Sequence, residues 1–484
     1  MEKKVESQSN NLSLARWVGV LAFLFCLQLA WAQDTLSLSG AIALGLKNNF
    51  DVQIQQLNIE NARNLNNWGQ AGLYPTISFN PNFNNAIIQR KPANPFAVAG
   101  RNISNNITGQ LDAQFTLFDG FSVQLSKQRL EQLEALSYGN AMFVMENTVQ
   151  NIILGYYQVL LEKERLQILK NNMEFSKERY NYVKLRKELG GAITFDVLQE
   201  QNNYLTDSAN VILQNITYQN SVRRLNLLLN ADLQKTYTFT DSLSYEHEDY
   251  DYGDLRARMS RSNTTLRNQY VNQEILRTST RQQQSNLYPL LSLNLGANGS
   301  LDQLNANFRT QTGNTIENTV GFVNRDPGQP VYNTVNETAL TPLTQNGNSY
   351  GGYANFSLRF TLFNGGQIKQ AIETARIQEK IAQIGTDQLK LSLDNDLLVN
   401  LDTYNARSQL VAIAQTKLEA ATLNLDLANE RYRNGGLSAI DLRIVQENAR
   451  NAALENYEAI FNSISSKIAL VRITGGLVDR PENQ

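Results

Sequence analysis

The residue types that most often carry catalysis are scarce in this chain of 484 residues. It contains one histidine, His247, and one cysteine, Cys26. His247 lies in an acidic segment, and no serine, cysteine or metal-ligand pattern accompanies it. The sequence also lacks an HExxH motif, a phosphate-binding glycine loop and a nucleophile elbow. We therefore predict a protein without enzymatic activity, cofactor or metal site, in which His247 is a solvated loop residue.

The N-terminus and the overall charge indicate an exported protein that binds no nucleic acid. Lys3 and Lys4 precede an apolar run, Trp17–Ala30, and this order predicts a secretory signal peptide over residues 1–32. A transmembrane anchor is the alternative, but the run is shorter than the roughly 20 residues that a spanning helix needs. Cys26 lies inside this signal, so we expect a mature chain without a thiol. The net charge is −2, whereas phosphate binding needs a concentrated basic face.

Three landmarks of the sequence recur at a constant separation of 245 residues, which indicates an internal duplication. The pairs are Thr-Leu-Phe-Asp-Gly at 116–120 with Thr-Leu-Phe-Asn-Gly at 361–365, Gly190-Gly191 with Gly435-Gly436, and Asp196 with Asp441. The predicted organisation is a signal peptide (1–32), a first repeat of one helix, two strands and a long helical hairpin (33–230), an acidic and aromatic connector (231–253), a second such repeat (254–475) and a C-terminal tail (476–484).

Two long stretches without proline predict unusually long helices. No proline occurs between Pro95 and Pro289 or between Pro342 and Pro481, and proline inside a helix costs about 3 kcal/mol. We predict helices over 120–188 and 365–434, each followed after a Gly-Gly turn by a return helix that ends near 229 or 472. Two further helices are predicted at 39–73 and 254–287.

A seam of small and apolar residues with the 3,4 spacing of packed coiled-coil helices runs along each long helix. Its positions in the second repeat are Val411, Ala414, Leu418, Ala421, Leu425, Ala428 and Tyr432, and those in the first repeat are Leu166, Leu169, Met173, Ser176, Tyr180 and Val183.

Four segments alternate apolar and polar residues, the pattern of strands with one apolar face. They lie at 77–80, 111–117, 291–295 and 356–362, and the residues between the members of each pair, 84–106 and 299–350, are rich in Asn, Gly and Thr. We predict these intervening residues to be exposed loops. A soluble sandwich would give the same alternation. If the strands cross a bilayer, several chains must share one barrel, because four strands cannot enclose a water-filled lumen.

The order of these motifs resembles the TolC-like outer-membrane efflux proteins. The resemblance rests on Leu-Tyr-Pro before the strands, Thr-Leu-Phe-(Asp/Asn)-Gly before each long helix, and Arg431–Leu442 at the second hairpin, and it covers nearly the whole mature chain. It implies an α+β membrane protein with two internal repeats, a homotrimer whose 12-stranded β-barrel, four strands per chain, continues into a long α-helical coiled-coil barrel in the periplasm.

The function implied by the resemblance is that of a channel-tunnel that exports small molecules or proteins across the periplasm and outer membrane. The implied partners are a periplasmic adaptor (a membrane fusion protein), an inner-membrane pump of the efflux or type I secretion kind, and outer-membrane lipid. The alternative is a structural coiled-coil or adhesin-like outer-membrane protein without transport.

In the family, a tyrosine, an arginine and two aspartates at the second hairpin close the channel. Tyr432 matches the tyrosine and Asp441 the first aspartate, whereas Leu437 and Ile444 occupy the other two positions. The nearby cations that could substitute are Arg433 and Arg443. For Asp441 the alternative is a helix N-terminal residue that the helix dipole favours, and for Tyr432 it is packing in the seam.

The family also places adaptor docking at the tips of the helical hairpins. The corresponding residues are Gly190, Gly191, Asp196, Gly435 and Gly436. A purely structural role in the two turns is the alternative for the glycines.

Overall fold

The computed structural model describes residues 35–91 and 98–478, so the predicted signal peptide and most of the predicted tail lie outside the described residues. The chain forms two compact units. The first comprises residues up to 63, 132–274 and those from 380 onward, and the second comprises 64–131 and 275–379. Each unit therefore takes residues from both predicted repeats.

Apart from the short α3, which has no counterpart in the second half, the helices and strands follow the same order in both halves of the described chain. They are β1 (Thr35–Leu36), α1 (Leu38–Asn48), α2 (Phe50–Leu65), α3 (Trp68–Ala71), β2 (Thr76–Arg90), β3 (Gly100–Phe118), α4 (Ser122–Glu188) and α5 (Thr194–Leu228), then β4 (Thr238–Phe239), α6 (Tyr252–Ser262), α7 (Thr264–Ser285), β5 (Leu290–Phe322), β6 (Pro330–Arg359), α8 (Gln367–Arg433) and α9 (Ala439–Ile473). None of the described helices combines the length and the apolar character that a membrane-spanning helix needs.

The predicted long helices are confirmed. α4 and α8 each contain 67 residues, and the return helices α5 and α9 each contain 35. The seam positions are buried or half-buried, with Val411 at 1% and Ala428 at 5% exposure, while flanking residues such as Ile413 (62%) are exposed. The 3,4 spacing therefore identified the packed face correctly.

The two predicted helices at 39–73 and 254–287 are wrong as single helices, because an asparagine breaks each one. Asn49 has φ −62° and ψ 130°, and its side chain accepts hydrogen bonds from the backbone N–H groups of Asp51 (2.9 Å) and Val52 (3.3 Å). Asn263 ends α6 in the same conformation and caps α7 through Leu266 N–H (2.8 Å). Asparagine side chains satisfy free N–H groups at a helix start, so each break begins a new helix.

The larger of the two buried hydrophobic clusters of the first unit lies where the connector segment pairs with the N-terminal strand. β1 and β4 pair in parallel, with Leu36 opposite Phe239. The buried Tyr156 hydroxyl, in the middle of α4, donates to the carbonyl of Leu36 (2.9 Å) and the carboxylate of Asp241 (2.6 Å). Burial and the neighbouring Asp241 carboxylate raise the pKa of Tyr156, so the hydroxyl stays protonated as a donor.

The second unit contains a four-stranded antiparallel sheet in the order β2-β3-β5-β6. The predicted loops at 84–106 and 299–350 are wrong over most of their length, because β2 and β3 pair as far as Arg90 and Gly100, and β5 and β6 as far as Phe322 and Pro330. Polar side chains bond across the strands, as Asn105 does to Gln303 (3.1 Å), which makes an Asn-rich segment compatible with a strand. β6 ends at Arg359, so the predicted strand at 356–362 is three residues too long.

Candidate functional site at the helical hairpin tips

Both hairpins turn through the same hydrogen-bonded motif. Gly190 has φ +76° and Gly435 has φ +75°, a left-handed conformation that glycine adopts without a steric penalty. The N–H groups of each Gly-Gly pair bond back to the carbonyls of the last helical turn, at 3.0 and 2.7 Å in the first hairpin and 3.0 and 2.8 Å in the second. Apart from the neighbouring residues, no atom of the described chain lies within 4 Å of a Cβ built at Gly190 or Gly435. The left-handed glycine of each turn is therefore exposed.

The return helices start differently in the two hairpins. Ser438 caps α9, because its Oγ accepts a hydrogen bond from Asp441 N–H (3.1 Å) and donates to the Asp441 carboxylate (2.7 Å). At the equivalent place in the first hairpin, Ile193 has no polar side chain, and Asp196 accepts from Ile193 N–H (3.2 Å). Both aspartates are exposed in the first turn of a helix. Asp441 thus lies in the first turn of α9, where its carboxylate bonds to the capping hydroxyl of Ser438 and stays exposed to solvent.

Tyr432 and Arg433 lie at the end of α8 and line one cavity of about 320 Å³. The Tyr432 ring packs edge-on against Tyr182 of α4, with 6.3 Å between the ring centroids. Burial and the neighbouring Tyr182 raise the pKa of Tyr432. Arg433 is exposed beside it. The structure therefore places these two predicted residues at one cavity, and the half-buried Tyr432 packs against the long helix of the first hairpin.

Arg443 does not line the cavity of Tyr432 and Arg433. It forms an ion pair that joins α9 to the first hairpin. Its guanidinium binds both carboxylate oxygens of Asp207 in α5, with Nη1–Oδ2 at 2.5 Å and Nη2–Oδ1 at 2.9 Å. Nη1 also donates to Ser176 Oγ in α4 (3.0 Å), and Nε donates to Glu447 (2.8 Å). The hydrogen bonds to Asp207 raise the pKa of Arg443 despite its burial. Arg443 is thus fully engaged with partners of its own chain.

A second buried pair, which the sequence did not indicate, lies beside the first. Arg179 of α4 binds Glu200 of α5 at 3.1 Å and also donates to Gln446 of α9. The side chains of Arg179 and Glu200 are only 6% and 5% exposed. Burial lowers the pKa of Arg179 although Glu200 opposes that shift. The two pairs form a buried polar layer, defined as Ser176, Arg179, Glu200, Asp207, Arg443 and Gln446, that joins three helices.

The first hairpin also exposes an apolar tip surface. Leu189 is 78% exposed, Ile193 64% and Phe195 65%. Ile440 is the corresponding residue of Phe195 in the second hairpin and is 66% exposed. Apolar side chains grouped on a protein surface commonly mark a contact with another protein.

The lone histidine lies far along the chain from these tips, in the connector. His247 is exposed, its ring bonds to the Tyr245 hydroxyl (3.0 Å) and to Asp249 (3.0 Å), and it stacks on Tyr404 at 6.5 Å. Among residues 35–91 and 98–478, no group of His, Cys, Asp and Glu side chains has the arrangement of a metal site.

The comparisons with known proteins agree with this geometry. Residues 41–231, most of the first repeat, match the family model of the outer membrane efflux proteins. No curated protein sequence matches the chain. The predicted resemblance to the TolC-like outer-membrane efflux proteins is therefore confirmed by the family match and by the fold.

Solved outer-membrane channels share the fold over nearly the whole chain. The CmeC channel of Campylobacter jejuni is 15% identical, with 94% of this chain and 92% of that chain covered and a TM-score of 0.69. CusC is 13% identical, with 92% and 94% covered and a TM-score of 0.68. The open state of the MtrE channel of Neisseria gonorrhoeae is 15% identical, with 91% and 89% covered and a TM-score of 0.65. The fold of these outer-membrane channels therefore includes both repeats.

Proposed function

We propose that the chain is one protomer of an outer-membrane channel-tunnel that exports small molecules or proteins across the periplasm and the outer membrane. The observation that carries the proposal is the four-stranded sheet, which from the row of Thr76 to the row of Asn84 has one mainly apolar face and one polar face, in a chain with the fold of solved outer-membrane channels. A sheet of this kind separates lipid from water when it forms part of a closed wall.

The proposed assembly is a homotrimer with a 12-stranded barrel. Among the described residues, β2 and β6 each pair with a neighbour on one side only. A strand edge inside a bilayer has no water to bond its free N–H and C=O groups, so each edge needs a strand from another chain. Three copies supply twelve strands, and the long hairpins supply the periplasmic coiled-coil tunnel.

The proposed partners are a periplasmic adaptor at the hairpin tips and an inner-membrane pump of the efflux or type I secretion kind. The exposed Gly-Gly turns at Gly190-Gly191 and Gly435-Gly436, with Asp196 after the first turn, support adaptor docking, because no side chain of residues 35–91 or 98–478 covers the left-handed glycines. The exposed apolar residues beside the first turn add surface for such a contact.

The proposed constriction consists of Tyr432, Asp441 and Arg433 at the tip of the second hairpin. Three copies of Asp441 around one axis would form a carboxylate ring, and Tyr432 narrows the same end of α8. We assign Arg443 to positioning instead, because its ion pair with Asp207 holds α9, the helix on which Asp441 lies.

The test combines oligomeric state with conductance. Protein extracted from outer membranes is expected to have the mass of three chains and to conduct ions in planar bilayers. The Tyr432→Ala/Asp441→Ala double variant is expected to conduct more per channel, because it removes the side chains at the constriction. The matched control is Lys187→Ala/Asp196→Ala, at the equivalent positions of the first hairpin.

Each outcome separates the alternatives. Unchanged conductance in the Tyr432→Ala/Asp441→Ala variant contradicts the constriction residues but not the channel. Trimers that insert into bilayers and never conduct contradict export and favour the structural or adhesin-like alternative.

A further inference from the structure

We propose that the sheet itself selects for cations, through Asp112 on β3 and Asp302 on β5, independently of the helical tips. The inference rests on the proposed function, because the polar face of the sheet borders a lumen only in the assembled barrel.

The register places one continuous polar face across all four strands. Five successive rows on this face run from the row of Thr76 and Gln114 to the row of Asn84 and Asn106. Apart from Asp112 and Asp302, these positions contain only Asn, Gln, Ser, Thr, Gly and one tyrosine. The five rows therefore contain two carboxylates and no lysine or arginine.

The opposite face of the same rows is mainly apolar, which fixes the direction in which the carboxylates point. Phe79 (65% exposed), Leu111 (47%) and Leu301 (59%) alternate with the polar residues along their strands. Apolar side chains face lipid in a membrane sheet, and the alternate residues face the interior. Asp112 and Asp302 consequently face the lumen of the proposed barrel.

Neutral donors hold both carboxylates. Asp112 accepts hydrogen bonds from Gln110 (2.9 Å) and from the Tyr353 hydroxyl. Asp302 accepts from Ser300 (2.8 Å) and from Asn106. Hydrogen bonds from neutral groups orient a carboxylate without cancelling its charge. Both carboxylates are therefore held in place by groups that carry no charge of their own.

The nearest cations on this face are too far away to neutralise these charges at ordinary salt. Arg359 lies three rows beyond Asp112, and Arg90 lies three rows beyond the level of Asp302. Three rows are six residues, or about 20 Å along a strand. The Debye length is about 10 Å at 0.1 M salt, so charges at that separation are largely screened from each other.

Threefold assembly would repeat each carboxylate at one level of the lumen. Asp302 is opposite Asn106 and Asp112 lies six residues further along β3, so the two levels are about 20 Å apart. Each level would have three negative charges inside a wall of low dielectric constant. Such walls focus the field and raise the local concentration of counter-ions.

The test is the potassium-to-chloride permeability ratio of single channels, obtained from reversal potentials in a KCl gradient. We expect the wild-type channel to prefer potassium. In the Asp112→Asn/Asp302→Asn variant the potassium-to-chloride permeability ratio should fall by roughly two- to tenfold. The matched control is Asp326→Asn, in the turn between β5 and β6, which should leave the ratio unchanged. Repeating the pair of measurements in an Asp441→Asn background removes the contribution of the tip and should give the same loss.

The outcomes distinguish this inference from the proposed function. Conducting channels with the same permeability ratio in wild type and double variant overturn the selectivity role of the two aspartates and leave the channel intact. A wild-type protein that never conducts overturns the proposed function itself. If Asp112→Asn prevents assembly, the single variant Asp302→Asn tests the inference and should lower the potassium-to-chloride permeability ratio. Asp302→Glu, which keeps the carboxylate, should keep the wild-type ratio.

Discussion

Arg443 and Asp207 form a two-pronged ion pair between the second hairpin and the first, 236 residues apart in the chain. The Asp207 side chain is 1% exposed and that of Arg443 is 13% exposed. An exposed ion pair contributes little to stability, but removing one partner of a buried pair leaves an uncompensated charge. The pair therefore ties the position of α9 to that of α5.

Arg443→Met should destabilise the hairpin packing by about 3–5 kcal/mol, because Asp207 then remains buried without its partner. Hydrogen exchange of the α9 amides in the purified assembly measures the effect. Arg431→Met is the matched control, since Arg431 is exposed at the end of α8 and its loss should change stability by no more than about 0.5 kcal/mol. If the α9 amides stay as protected from hydrogen exchange in Arg443→Met as in the wild type, the ion pair does not stabilise α9 and the prediction is wrong.

The lowered pKa of Asp207 also predicts that the packing of α9 against the first hairpin weakens in acid. Burial disfavours its charged form, but hydrogen bonds from Arg443 and Ser176 outweigh burial and hold its pKa below the ordinary value of 3.8. The unfolded chain then binds a proton more readily than the folded chain, so the stabilisation is complete above 3.8 and is lost as the pH falls below it.

The Asp207→Asn variant tests this pH dependence. Between about pH 6 and pH 3, wild-type α9 should lose more protection from hydrogen exchange than α9 of the variant does, because only the wild type has this carboxylate to protonate. Equal losses in the two proteins would show that Asp207 does not contribute to the acid response.

The two return helices start with different capping interactions, and one substitution in each helix tests what the cap contributes to stability. Ser438→Ala removes the side-chain cap of α9 and should cost about 0.5–2 kcal/mol. Ile193→Ser adds the missing cap at the equivalent position of α5 and should slow amide exchange in its first turn by a comparable free energy. An unchanged first turn of α5 in Ile193→Ser would mean that Asp196 already satisfies that end.

Gly435→Ala should destabilise the tip of the second hairpin by about 1–2 kcal/mol, because an L-residue is strained in the left-handed conformation. Gly436→Ala is the matched control, since Gly436 does not have a left-handed φ and the nearest atom to a Cβ there, the Arg431 carbonyl oxygen, is 3.6 Å away. Local unfolding at the tip, followed by proteolysis, should increase only for Gly435→Ala. Equal cleavage of both variants would contradict a turn fixed by φ.

Much of the helical fold was predictable from the sequence, because the absence of proline and the 3,4 seam act locally. The ends of the strands were not, because Asn-rich segments resemble loops and become strands only through pairing with partners that are distant in sequence. The break at Asn49 was missed for a related reason, since an asparagine inside a helical pattern does not reveal that it caps the next helix.

The buried polar layer was the main omission at the candidate site. Arginine and aspartate are usually exposed, so Arg179 and Asp207 are expected at the surface from the sequence. Their burial depends on how three helices pack. One signal was present, because Ser176 is a polar residue within the apolar seam of α4. It is fully buried and accepts a hydrogen bond from Arg443.

The most direct test of the account asks whether the polar face of the sheet borders a water-filled conduit. The one natural cysteine, Cys26, lies in the predicted signal peptide, so Asn298→Cys and Ala297→Cys place single thiols on opposite faces of β5. A charged, membrane-impermeant thiol reagent should reduce the current through trimers with Asn298→Cys and leave trimers with Ala297→Cys unaffected. Equal modification of both, or block only through Ala297→Cys, would contradict a channel lined by this face.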